Sequence, residues 1–380
     1  MRLGWQDELQ NNVTSIEELK KYIDIPPAEE EKLRRVVDIH PMSIPRYYLS
    51  LIDRSDPDDP IRKIAVPSVH ELDVDGSYDT SGERDNTKLT GLQHKYARTV
   101  LLLLSNICSM YCRHCFRKRM VGVSGEETMQ RLDEAAAYIT DHPEINNILI
   151  SGGDSLALPT RVVEHCLEKL VDIEHLDFIR FGSRMPVSFP DRILLDPGLP
   201  ELFRRYSSKN KRIYLITHFN HPAEVTAKAV EAVDRFIRAG IIVNNQTVLL
   251  HEVNDAPEIL ARLLNRLVSI GVNPYYVFQC RPVKRVKSHF QVPLARGYAV
   301  VEEAKRRLNG HSKRFRYIMA HPTGKIEIVG ILDDEIYFKY HQAKAAVDMG
   351  RLFKKKLDDT AGWLDDLEDC VEDGPEMPCC

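Results

Sequence analysis

The sequence runs to 380 residues, 43% hydrophobic and 28% charged, which is enough chain to bury a large core as one big α/β domain with appendages or as two domains. A formal charge of −4 argues against a protein built mainly to neutralise phosphates, so nucleic acid is not an expected partner. No run approaches the roughly 18 uncharged apolar residues of a membrane span, and MRLGWQDELQ lacks the regions of a signal peptide; a cytoplasmic protein without a membrane partner is expected.

Residues 1–90 are polar, with helical patterns such as SIEELKKYI and a Pro/Asp-rich passage, SDPDDPIRK; they read as an accessory helical segment rather than core. From about residue 98, short aliphatic and β-branched runs predict six buried strands: TVLLLLS (99–105), NNILIS (146–151), DFIRFGS (177–183), RIYLITHF (212–219), IIVNNQTVLL (241–250) and NPYYVFQC (273–280). Amphipathic helical patterns lie between them. Ser124 with Glu127 predicts a capping box before TMQRLDEAAAYI, and two later helices stop at Gly240 and Gly271. Strands alternating with helices imply βαβ units and a parallel sheet, which can be doubly wound or an incomplete barrel; no G-x-G-x-x-G supports a dinucleotide fold. The barrel-like portion spans 91–300, a further β-rich segment 301–345, and a charged tail expected to be loosely ordered 346–380.

Eight cysteines without an export signal read as thiols for metal binding or catalysis rather than disulfides. Cys166, inside VVEHCLEKL, reads as a small buried hydrophobe, Cys280 stands alone, and Cys370, Cys379 and Cys380 sit in the tail. Cys108, Cys112 and Cys115 form C-x3-C-x2-C. A closed zinc site wants four ligands, and His114 is awkwardly placed to be the fourth. A cubane cluster on three cysteines leaves one iron open, and this fits better. The other unusual polar residues also follow predicted strands: Gly152, Gly153 and Asp154, then Ser183 and Arg184, then His218 to His221, then Gln246 and Arg281. Parallel α/β folds place ligands at that edge, so these residues are expected to face one cavity. The basic runs at 117–119 and 281–287 read by default as solvated faces.

C-x3-C-x2-C after the first strand resembles the radical S-adenosylmethionine (SAM) enzymes. CSMYCRHCFRKR, ISGGDSL, GSRMPV, THFNHP, NNQTVLL, VND, NPYYVFQC and SHF, in that order, resemble the lysine 2,3-aminomutase family over about residues 90–330. The resemblance implies a partial (β/α)6 TIM-like barrel carrying a [4Fe-4S] cluster on Cys108, Cys112 and Cys115, SAM, and pyridoxal 5'-phosphate (PLP). It implies an isomerase that moves the α-amino group of an amino acid to C3 through a PLP imine and a 5'-deoxyadenosyl radical. By the same resemblance Gly152, Gly153, Asp154, His218 and Gln246 contact SAM, Arg184 lies on the cofactor side, Lys95 and Tyr96 are near the PLP phosphate, Lys325 in AHPTGK is the PLP lysine, and Arg117 holds the substrate carboxylate. Thr99 stands where the family has a phosphate arginine. A reductant such as flavodoxin or ferredoxin and a homo-oligomer are implied in the same way.

Lysine-specific members grip the distant ammonium with two aspartates, whose positions are here Arg281 and Ala320. Burying an ammonium without an acid, or beside a cation, costs several kcal/mol. An acidic substrate, glutamate first, is therefore expected, with Arg281 pairing its γ-carboxylate. The alternatives are a lysine 2,3-aminomutase proper, radical modification of a macromolecule such as a translation-factor lysine, and a zinc-stabilised binding module. Ala256 replaces the cysteine after VND that zinc-containing members use, so no zinc is assigned to the tail cysteines.

Overall fold

The computed structural model describes residues 4–370. Twelve strands form one sheet in chain order: Thr87–Leu89 (β1), Leu92–Tyr96 (β2), Thr99–Ser105 (β3), Asn147–Gly152 (β4), Phe178–Gly182 (β5), Arg212–Thr217 (β6), Ile242–Leu249 (β7), Asn273–Gln279 (β8), Arg316–His321 (β9), Gly324–Leu332 (β10), Glu335–Ala343 (β11) and Leu352–Lys356 (β12). β3 to β9 are parallel, each paired with the next in sequence, and the strands outside them are antiparallel. The six expected strands are all present. A seventh, β9, joins them after the helix Leu294–Arg306, and a two-residue turn at Pro322 and Thr323 returns the chain antiparallel into β10.

Side chains alternate across a strand, and here the alternation sorts two destinations. Val100, Leu102, Ile148, Ile150, Ile179 and Phe181 belong to the large hydrophobic core. Their neighbours Thr99, Leu101, Leu149, Ser151, Arg180 and Gly182 turn to a cavity enclosed by the sheet, as do Gln246, Val248, Phe278 and Cys280 further round. The fold is a partial, TIM-like (β/α) barrel with its site inside the C-terminal rim. The helices Ala227–Arg238 and Pro257–Ser269 end before Gly240 and Gly271, whose φ values of +78° and +81° make the left-handed stops the sequence indicated.

Three expectations are corrected. Ser124 and Glu127 do not cap a helix: the helix is Leu132–Thr140, and the Glu127 carboxylate is drawn instead to Arg119, 2.7 Å away. The N-terminal segment is not separate from the core, because Trp5, Val13, Ile16, Tyr48, Ile61 and Ile64 join the same apolar cluster as the barrel residues. The tail is not loose up to residue 367. β12 extends the sheet beside β11, and Ala361, Trp363, Leu364 and Leu367 are buried, so apolar residues hidden among charges anchor it. Cys370 is a half-buried free thiol, while Cys379 and Cys380 lie outside the described residues.

Candidate active site

A cavity of about 350 Å³ opens at the C-terminal ends of the parallel strands. Cys108, Cys112 and Cys115 form part of its wall, on the loop that leaves β3. Two buried acids from the N-terminal segment pin that loop. Glu71, fully buried, accepts from Arg113 at 2.8 and 2.6 Å and from Lys118 at 2.6 Å. Glu83 accepts from Arg117 at 3.1 and 3.0 Å and from Arg119 at 2.6 Å. Burial alone would raise the Glu83 pKa; the Arg117, Arg119 and Arg281 guanidiniums outweigh it and hold the carboxylate down at about 2. The run at 117–119 is therefore not a solvated face. Apart from Glu127, which meets Arg119 from eight residues downstream, its counter-ions arrive from 34 to 47 residues upstream, where no local pattern reveals them.

The loop after β4 meets the cysteine loop backbone to backbone. Gly153 N–H donates to Ser105 O at 2.5 Å and Asp154 N–H to Ile107 O at 2.8 Å. A Cβ on Gly152 would lie 2.3 Å from Ser105 O, and one on Gly153 2.3 Å from Ile107 O, so only glycine permits this approach. Gly152 also has φ +122°. The Asp154 carboxylate is spent on structure, accepting from Leu156 N–H, Ser183 Oγ and Arg184 N–H at 2.9, 2.7 and 2.6 Å.

Arg184 faces the cysteines. Its Nη1 donates to Cys112 Sγ at 2.7 Å and its Nε to His218 O at 3.1 Å, while Nη2 reaches Tyr48 Oη at 3.2 Å and pairs with Glu224. His218 lines the cavity with its Nε2 shielded and unpartnered, and burial followed by the Arg184 charge lowers its pKa to about 3. His114 stacks edge-on against it, 5.6 Å between centroids, and its Nε2 accepts from Asn220 Nδ2 at 3.2 Å. His221 separates from this group: its Nδ1 accepts from Ala223 N–H and caps a turn. Gln246, on β7, completes the wall.

At the other end, Lys325 is the second residue of β10, paired with Ala320 rather than placed in a free loop. Its Nζ sits 5.0 Å from the Tyr276 ring centroid and 5.7 Å from that of Tyr96. Burial, then the charges of Arg180, Lys95 and Arg281, bring its pKa down to about 7. Lys95 donates to His321 O at 2.5 Å and Ser81 O at 3.2 Å, and burial followed by Arg281 lowers it to about 7 as well. Arg180 and Gln342 also line this end, and neither was singled out in the sequence. A lone arginine inside the apolar run DFIRFGS was the available signal, because a buried strand rarely carries one without purpose. Gln342 had none.

Arg281 turns inward. Its guanidinium lies 4.1 Å from the Phe116 ring and donates to Ser81 Oγ at 2.8 Å, and burial lowers its pKa to about 10. Arg117 stands nearby, its Nη1 also donating to Ser151 Oγ and Gly152 O at 3.2 Å each. Ala320 contributes only a methyl group to the wall.

Residues 102–264 match the model of the radical SAM superfamily. A chain from Aquifex aeolicus is 41% identical over 93% of this chain and 95% of its own length. The L-lysine 2,3-aminomutase of Clostridium subterminale is 39% identical over 82% of this chain and 73% of its own, and the glutamate 2,3-aminomutase of Clostridioides difficile 34% identical over 78% and 69%. The chain belongs to the radical SAM amino acid 2,3-aminomutase family. It is an isomerase, and the cofactors of this aminomutase family are a [4Fe-4S] cluster, SAM and PLP.

The aminomutase site fits these groups. Among the described residues no three His, Cys, Asp or Glu side chains converge as they would on one ion; three thiols spread along a wall suit the separate corners of a cluster. The glycine pair leaves backbone bare beside them, and His218 presents an unpartnered nitrogen. At the far end, a lysine whose amine is about half neutral near pH 7 stands among cations, as an aldehyde bearing a phosphate requires. Among the described residues no helix is long and apolar enough to cross a membrane.

Proposed function

We propose that this aminomutase acts on an amino acid with an acidic side chain, glutamate first. The supporting observation is the charge of the cavity wall. Among the described residues its only carboxylates are Glu83 and Asp154, and both are occupied: Glu83 by Arg117 and Arg119, Asp154 by two N–H groups and a hydroxyl. A lysine ammonium would find no free acid there, and Arg281 would repel it. A γ-carboxylate would find Arg281 held over the Phe116 ring with donors to spare.

When bound, the cluster and SAM supply a hydrogen-abstracting radical and PLP a conjugated carbonyl carrier. The chain's own residues do the positioning. Cys108, Cys112 and Cys115 would hold the cluster, and Arg184, clamped by Glu224 and Tyr48, orients Cys112. Gly152 and Gly153 give the methionyl end of SAM access to backbone, with His218 and Gln246 on the opposite wall. Lys325 would hold PLP, with Lys95 and Tyr96 beside it. Arg117 would engage the α-carboxylate by exchanging the Nη1 bonds to Ser151 Oγ and Gly152 O for it, and Phe116 lies between Arg117 and Arg281.

The test is an anaerobic competition of glutamate against lysine, with reductant, read by mass spectrometry and chromatography for 2,3-isomers. Glutamate should be the preferred substrate, and Arg281→Asp should invert the preference by on the order of 100-fold, as expected for exchanging a buried ion pair for a like-charge contact. Lysine preferred by the unaltered protein, or a preference that Arg281→Asp leaves in place, would reject the reading.

A further inference from the structure

The guanidiniums buried in this molecule pair with carboxylates, but among the described residues two that line the cavity do not: Arg281, which donates to Ser81 Oγ and stands where the proposed substrate's γ-carboxylate would lie, and Arg180. Arg113 pairs with Glu71 at 2.6 Å, Arg117 with Glu83 at 3.0 Å, Arg192 with Asp196 at 2.7 Å, and Arg184 with Glu224. Arg180, on β5, has no carboxylate partner among the described residues. Its Nη2 donates to the neutral side chain of Asn147, and its Nε is shut off from solvent with no acceptor. Asn147 is held in turn by Thr99, Nδ2 to Oγ1 at 3.0 Å, so the three residues form a braced row across β3, β4 and β5. Burial lowers the pKa of Arg180, and only the Tyr275 and Tyr276 hydroxyls oppose that shift.

A guanidinium in a dry place without a counter-ion is costly, and a fold keeps one when something else brings the negative charge. The surroundings narrow what that is. Arg180 faces the cavity, and its charge is the first named among those that depress Lys325. Lys95, the second such charge, spends two of its three N–H donors on carbonyls and keeps one. Three cations at one end, none of them paired with a carboxylate among the described residues, suit a doubly charged oxyanion placed within reach of the Lys325 amine.

We propose that Arg180, with Lys95, seats the phosphate of PLP, and that the Thr99–Asn147–Arg180 row positions it. This rests on PLP occupying the Lys325 end of the cavity. A phosphate dianion supplies the charge the fold withholds, and Arg180 Nη1, which carries no hydrogen bond while Nη2 is held by Asn147, is the donor left to bind it.

The experiment titrates apo-protein with PLP and with pyridoxal, which lacks the phosphate, following protein fluorescence and ligand absorption. It uses the unaltered chain, Arg180→Gln and Arg180→Lys, and records thermal melts of each with and without PLP. The unaltered protein should prefer PLP to pyridoxal by 100-fold or more. Arg180→Gln should weaken PLP by about 10- to 100-fold, the range for a charge-assisted hydrogen bond, leave pyridoxal nearly unchanged, and lower the rise in melting temperature caused by PLP. The same variant should melt, as apo-protein, no lower than the parent, because a stranded charge has gone. Arg180→Lys should keep most of the preference.

An unchanged PLP-to-pyridoxal ratio in Arg180→Gln would overturn the inference, and so would a loss of glutamate affinity in place of PLP affinity. Should Arg180→Gln not fold, its failure would itself count against a stranded charge. An unaltered protein that binds both aldehydes equally overturns the phosphate seat alone, whereas one that binds neither overturns the placing of PLP in this cavity as well.

Discussion

The two ends of the cavity solve opposite electrostatic problems. Around the cysteines, four cations of one loop are met by buried acids from outside it: Arg113 and Lys118 by Glu71, Arg117 and Arg119 by Glu83. Around Lys325, the cations Lys325, Lys95 and Arg180 make no ion pair among the described residues, and Glu83 and Asp79 act on Lys95 without bonding to it. The first end is assembled by the chain itself and would keep its shape without a ligand. The second is held by neutral bonds and by β-sheet register, and its charges await one from outside.

The sharpest way to break this comparison is to remove an acid at the first end. Glu71→Ala leaves two buried cations without a counter-ion and should destabilise the protein by about 3–5 kcal/mol, measured by denaturant unfolding; Arg180→Gln at the second end should cost nothing. Equal losses at both ends would erase the distinction. A smaller effect is expected where the cysteine and glycine loops touch. Gly153→Ala places a methyl group against a backbone carbonyl that cannot retreat from Gly153 without moving the cysteine loop. About 1–3 kcal/mol of stability should be lost, together with SAM binding by calorimetry in the reconstituted protein.

What the sequence revealed divides along similar lines. The cysteine spacing, the glycine pair and the six barrel strands were legible because each is a local pattern with a local cause: ligand spacing, close backbone approach, and runs buried on both faces. Lys325 was legible by its place after the last barrel strand, although its strand pairing was not. Glu71, Glu83 and Glu224 were invisible because each acts on a partner 34 to 47 residues away, and nothing around them distinguishes a buried acid from a surface one. The same distance explains why the basic run at 117–119 was read as solvent-facing. Arg180 was half-legible: its oddity within an apolar strand could be seen, but not the missing counter-ion, which is a statement about every neighbour at once.

The gentlest probe uses protons. Lys325 has its pKa lowered to about 7 because burial and the charges of Arg180, Lys95 and Arg281 all disfavour the ammonium. The sign follows directly: the free amine predominates above about pH 7 and is lost as pH falls through it, whereas an ordinary lysine would stay protonated to beyond pH 10. The rate at which apo-protein takes up PLP, followed by stopped-flow absorption, should therefore be level above about pH 7 and fall tenfold per unit below it. Removing either neighbouring charge, by Arg180→Gln or Lys95→Met, relieves part of the repulsion and should move the midpoint upward. A rate that climbs steadily to pH 10 in the unaltered protein would mean that an acid or an open water channel stands beside Lys325, and the uncompensated end of the cavity would then be compensated after all.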